Sequence, residues 1–141
     1  MKLRKANGRE FGVALAAKLR EVGHLVAFDG RLNVLDFKKL RIRLRLLWPT
    51  CGEVGRVWRI RVERISRSVD FDLLVRMEDL SRPKDFFLVP PADVIVRFPH
   101  WLIDPIPTDL GRFWCQSPKR LLERIQMLNE RGNAALAERS H

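Results

Sequence analysis

From Leu40 to Leu46 arginine and apolar residues alternate without a break, placing Arg41, Arg43 and Arg45 on one side and Ile42, Leu44 and Leu46 on the other. A two-residue period is that of a β-strand with one buried face. The second face must stay hydrated or meet anions. Pro49 ends the run, and beyond the turn-like stretch 50–55 the alternation returns, with Trp58, Ile60 and Val62 opposite Arg59, Arg61 and Glu63. The two runs are expected to pair as an antiparallel hairpin whose polar face is almost wholly arginine.

The flanking segments supply the rest of an α/β domain. Phe11, Leu15, Leu19 and Val22 recur at helical spacing, and Gly23 stops that helix at its C′ position. Two short strands follow, 24–28 and 33–37, separated by an Asp29-Gly30 turn. Strands are also expected at 71–77 and 86–89, then a short helix opened by Pro90-Pro91. Residues 98–115, punctuated by Pro99, Pro105, Pro107 and Gly111, read as loop. Ser117-Pro118 is an N-cap and N1 pair for a last helix striped by Leu121, Leu122, Ile125 and Leu128. Residues 1–131 are expected to form one domain, with 132–141 as a flexible tail.

A chain of 141 residues hides roughly 70% of the surface that its unfolded form exposes, so it needs no disulfide or metal to fold. Cys51 and Cys115 have no Cys or His partner at metal-ligand spacing and are read as free thiols. No apolar run is long enough to span a bilayer, so no membrane partner and a cytoplasmic location are expected.

The net charge of +10 is unevenly placed: residues 1–67 hold 17 Lys/Arg against 6 Asp/Glu, whereas residues 68–110 hold 4 against 8. Concentrated positive charge suits a polyanion, because phosphates neutralised by Lys and Arg release their counterions. The arginine faces contain no lysine, and the planar guanidinium is suited to two-pronged phosphate contacts. Arg41, Arg43, Arg45, Arg59 and Arg61, with Lys38 and Lys39 at the rim, are therefore the candidate contacts to DNA or RNA. A merely solvated face, or one that meets an acidic protein, is the competing account.

Nucleophile-elbow, phosphate-loop and dinucleotide signatures are absent. An amphipathic helix ending in glycine, then strands with a polar residue before a short apolar strand and two polar residues at i and i+2 on the next, resembles the core of the PD-(D/E)XK, or restriction-endonuclease-like, nucleases. The passage Val69-Asp-Phe-Asp-Leu-Leu-Val75 and the later Phe86-Phe-Leu-Val-Pro-Pro91 extend that resemblance, which covers residues 8–97. It implies a mixed β-sheet flanked by helices, with a C-terminal helix, and many relatives of this fold form homodimers.

The resemblance also implies where a Mg²⁺ site would stand. The family's Asp falls at Asn33 or, with a shifted register, at Asp36; its Glu falls at Arg43 and its Lys at Arg45. A helical Glu used by some relatives falls near Glu10. Mg²⁺ requires hard oxygen ligands, and a permanently charged guanidinium cannot coordinate a cation. The inherited site is degenerate and no cofactor is expected. If activity survives, it needs a relocated cluster drawn from Asp36, Glu63, Asp70 and Asp72, with Mg²⁺. The alternative role for these carboxylates is to neutralise the arginine rows across strands.

Overall fold

The computed structural model describes residues 7–52, 55–60, 69–104 and 106–139, with side chains described as far as Arg131. Helix α1 (Gly8–Glu21) is capped by Asn7, whose Oδ1 accepts from the Glu10 N–H at 2.8 Å, and buries Leu15, Ala16 and Leu19. It ends at Gly23, whose φ of 97° lies in the left-handed region that glycine adopts without strain. Strands β1 (Val26–Asp29), β2 (Val34–Phe37) and β3 (Leu40–Leu47) then form an antiparallel meander. Strands β4 (Pro49–Gly52) and β5 (Gly55–Arg59) pair with each other in a separate sheet.

The chain returns to the main sheet as β6 (Phe71–Met77), parallel to β3, and β7 (Pro83–Val89), antiparallel to β6. Helix α2 (Pro91–Arg97) follows, then β8 (Trp101–Ile103) on β5, a 3-10 turn over Thr108–Phe113, β9 (Trp114–Cys115) on β7, and helix α3 (Pro118–Arg139). The result is a mixed six-stranded sheet, β1-β2-β3-β6-β7-β9, with flanking helices and a C-terminal helix, beside a three-stranded sheet β4-β5-β8. Gly132 lies inside α3. No helix among the described residues is long and apolar enough to cross a membrane.

The two faces of the main sheet carry separate cores. Leu35, Phe37, Ile42, Leu44, Leu73 and Val75 project toward α1 and α3 and pack on Leu15, Leu19, Leu121 and Ile125. On the opposite face Leu74, Phe87 and Val89 pack beneath the second sheet, through Trp58 and Leu102, and beneath α2 and the 3-10 turn. The alternation in residues 40–47 emerges as a burial alternation along β3, but Leu46 is only partly buried.

The expected β3–β5 hairpin does not form. Both edges of β3 are occupied, by β2 on one side and β6 on the other. Pro49 has no N–H to continue a ladder, and the chain leaves the main sheet there. Its short-range option is the hairpin with Gly52 opposite Gly55, where Gly55 has a φ of 111°. The stretch 98–115, expected as loop, contributes β8 and β9 because Trp101–Ile103 and Trp114–Cys115 find the open edges of β5 and β7. Ser117 does cap α3, its Oγ accepting from the Arg120 N–H at 3.3 Å.

One buried ion pair ties the second core together. Arg76 on β6 and Asp85 on β7 face each other across the ladder, 1% and 3% exposed. The guanidinium donates from Nε to Asp85 at 2.7 Å and from Nη1 to Asp104 at 3.1 Å, and a further short contact joins Nη2 to Asp85. The Trp58 ring lies 4.6 Å from the guanidinium and the Trp114 indole N–H donates to Asp85 at 2.9 Å. Burial opposes the charge on Arg76, yet the hydrogen bonds and charge of Asp85, with Asp104 behind it, hold its pKa above the ordinary arginine value. Removing Asp85 strands a buried cation that Asp104 meets only from the solvent side. Asp85→Ala is therefore expected to destabilise the fold by about 3–5 kcal/mol in chemical denaturation; a loss below about 1 kcal/mol would show that the pair is not what secures this core.

Candidate nucleic-acid interface

A cleft of about 900 Å³ opens between the start of α1, the β1–β2 turn, the second half of β3 and the second sheet. Among the described residues its lining carries the arginines Arg31, Arg43, Arg45 and Arg59 and no carboxylate. A guanidinium keeps its charge at ordinary pH, so that charge can be offset only by neighbouring anions. The N-terminus of α1 contributes Asn7 and Gly8 to the same wall, adding the positive end of a helix dipole.

The four arginines reach the cleft by three routes. Arg43 and Arg45 stand two residues apart on β3, so they share a face. Arg59 comes from the end of β5, across the boundary between the two sheets. Arg31 is presented by the β1–β2 turn, which Asp29 shapes by accepting the Arg31 N–H at 3.0 Å. Trp48, half-buried against the main core, closes the floor where β3 gives way to β4.

Asn33 adopts a φ of 53°, a conformation that asparagine tolerates better than most side chains. Its carbonyl accepts the Leu44 N–H at 2.7 Å, which locks the start of β2 to β3 beside the cleft. This supplies a backbone reason for Asn33, whatever else the residue does.

The carboxylates on this side of the sheet are engaged by arginines. Asp72, directly across from Arg43 on β6, is 1% exposed and accepts from Arg43 Nε at 2.7 Å and Nη2 at 3.3 Å. Asp36 is paired with Arg41 across β2 and β3, with 3.9 Å between Oδ2 and the Arg41 Nε. Asp70 holds the Arg41 backbone instead: its Oδ2 accepts the Arg41 N–H and its own N–H donates to the Arg41 carbonyl, each at 2.9 Å.

Of the sequence-derived contacts, Arg43, Arg45 and Arg59 come together in the cleft and Arg41 does not line it. Lys38 and Lys39 occupy the exposed β2–β3 turn at the opposite end of the strands from the cleft. Arg61 and Glu63 lie outside the described residues. Of the four positions aligned with the nuclease motif, Asn33, Arg43 and Arg45 line the cleft, whereas Asp36 does not and lies against Arg41. Arg31 was missed because an isolated arginine after a turn carries no periodic signal. Its one local clue is the Asp29-Gly30 turn before it.

Among the described residues, the donor set at the cleft does not suit a divalent cation. Two of the three motif positions that line it are guanidiniums, and the nearest buried carboxylate, Asp72, has both oxygens committed to Arg43. Among the described residues no group of three His, Cys, Asp or Glu side chains is arranged to hold a metal.

Among solved structures the chain is similar to a bacterial homing endonuclease, I-Ssp6803I, with a TM-score of 0.49 and 16% sequence identity over 92% of this chain and 96% of that one. No protein-family model matches the chain, and no curated protein matches it significantly.

If Asn33 is retained for its backbone conformation, Asn33→Gly keeps the stability within about 0.5 kcal/mol while Asn33→Val loses about 1–2 kcal/mol. Denaturant unfolding of the two variants measures the difference. Equal losses would remove the backbone explanation.

Proposed function

We propose that this chain is a nucleic-acid-binding protein of nuclease-like fold in which the metal-dependent catalytic centre has been replaced by an arginine cleft. The observation that carries the reading is the convergence of Arg31, Arg43, Arg45 and Arg59, from three separate segments, on one opening whose described lining is free of carboxylates. Solubility alone requires charge on the surface but not its collection in a concavity. A concave wall of guanidiniums backed by a helix N-terminus suits phosphate oxygens, which accept paired N–H donors.

The nuclease-like part of the reading is supported by placement. Of the four positions that the resemblance assigns to its motif, Asn33, Arg43 and Arg45 line one cleft and Asp36 does not. The net charge over those positions has changed sign, because arginine stands at the Glu position and neutral Asn33 at the Asp position while the Lys position keeps a cation. A site that attracts Mg²⁺ presents negative charge, whereas this one presents positive charge to the phosphates themselves.

Binding to labelled DNA and RNA is expected to weaken steeply with salt. Three or four phosphate contacts give a slope of roughly −3 to −4 in log K against log salt concentration, and each of Arg31→Ala, Arg45→Ala and Arg59→Ala lowers its magnitude by about 1. Absence of binding at low salt would overturn the proposal and favour an acidic protein partner. Incubation with plasmid or branched DNA in Mg²⁺ or Mn²⁺ is expected to leave the DNA intact. Cleavage that Asp36→Ala abolishes would instead establish a divergent nuclease built on Asp36 with Asp70 or Glu63.

A further inference from the structure

The cleft does not end at Arg59. Along the second sheet, Trp58 and Leu102 face the core at 0% exposure, which turns Val57, Arg59, Trp101 and Ile103 to the opposite side. There Arg59 stands directly across from Trp101 and Val57 across from Ile103, with Thr50 completing the Val57 row from β4. Trp101 is 47% exposed and Ile103 40%. The Trp101 ring therefore lies on the open face. Leu102, its neighbour, anchors the strand in the core.

Two residues of this face, Thr50 and Arg59, also line the arginine cleft, so the two surfaces are continuous. The Arg59 guanidinium lies 5.8 Å from the centre of the Trp101 ring. It thus serves as a cation at the cleft edge and as one side of an aromatic step beside it. Asp104, the carboxylate nearest in sequence, is ion-paired with Arg76 and Lys84.

We propose that this face is a stacking platform for an unpaired base, so that the nucleic acid held by the arginine cleft is single-stranded, or carries a single-stranded segment, where it crosses the second sheet. The proposal rests on the phosphate-binding reading of the cleft. In a duplex, base faces are covered by their neighbours, and an exposed tryptophan next to a phosphate site gains nothing from them. An unpaired base offers both a flat apolar face for Trp101 and a backbone phosphate for Arg59. Every base has such a face, so the platform selects strandedness rather than sequence. A duplex groove would instead need side chains able to reach base edges, and the outer row of Val57, Ile103 and Trp101 is poorly equipped for that.

Fluorescence anisotropy with end-labelled 20-nucleotide single strands and blunt duplexes of the same sequence, at fixed low salt, tests the proposal. The unmodified protein is expected to prefer the single strand. Trp101→Ala is expected to weaken single-strand binding by about tenfold, from the loss of one stacked base, and to weaken duplex binding several-fold less. Trp101→Phe restores most of the difference because the flat face is retained. Trp101→Ala binding single strands as tightly as the unmodified protein, while Arg45→Ala still weakens them, would remove the platform and leave the cleft reading standing. An equal loss on both substrates that Trp101→Phe does not restore would mark a packing role and overturn the platform. Binding of neither substrate by the unmodified protein would overturn both readings.

Discussion

The parallel pairing of β3 with β6 is the constraint on which the rest of this molecule depends, and Arg43–Asp72 lies at its centre. A strand with alternate arginines can enter the middle of a sheet only if its charged face is compensated. β6 supplies the compensation from directly across the ladder, with a carboxylate 1% exposed that accepts two guanidinium hydrogen bonds. A buried charge left without its partner costs several kcal/mol, so the register of β3 against β6 is tied to this match. One residue of slip would put Arg43 opposite an apolar side chain and turn Leu73 away from the main core.

The same pairing decides where β5 can go. With β2 and β6 on its two edges, β3 has no place for a further strand, and the second arginine run has to fold elsewhere. It does so as the three-stranded sheet that covers Leu74, Phe87 and Val89. This brings Arg59 back toward β3 from outside the sheet rather than from a neighbouring strand. The cleft is bordered by the start of α1, the β1–β2 turn, the second half of β3 and the edge of the second sheet, and its charge follows from arginines that the turn and both sheets supply.

Much of the architecture was legible where a residue pattern has one structural solution. Period-two alternation in residues 40–47 marked β3 and its two faces, the apolar run 71–77 marked β6, and Ser117-Pro118 marked the start of α3. Strand pairing was not legible in the same way. Alternation says which residues share a face but not which strand lies beside it, and the likeness of the two arginine runs does not make them neighbours. Their actual partners are unlike them: β6 contributes an aspartate and β8 a tryptophan. The short strands β8 and β9 escaped notice because proline-rich flanks resemble loop, and only an unpaired edge elsewhere in the fold makes them strands. Buried Arg76 escaped for a related reason. Its partner Asp85 sits in a stretch that reads as a polar turn, and the link between them exists only once β6 and β7 are in register.

The arginine face thereby separates into parts with different tasks. Arg43 is held to Asp72, Arg41 meets Asp36 and Asp70 away from the cleft, and Arg31, Arg45 and Arg59 join Arg43 around the opening. The central claim, that this opening is where nucleic acid lies, is tested most directly by recording the arginine Nε–Hε NMR signals during titration with a short oligonucleotide at low salt. The account predicts that the signals of Arg31, Arg45 and Arg59 shift together and saturate at one stoichiometry, while that of buried Arg76 stays in place. Saturating shifts confined to Arg120, Arg124 and other residues of α3, with the cleft signals unmoved, would contradict it.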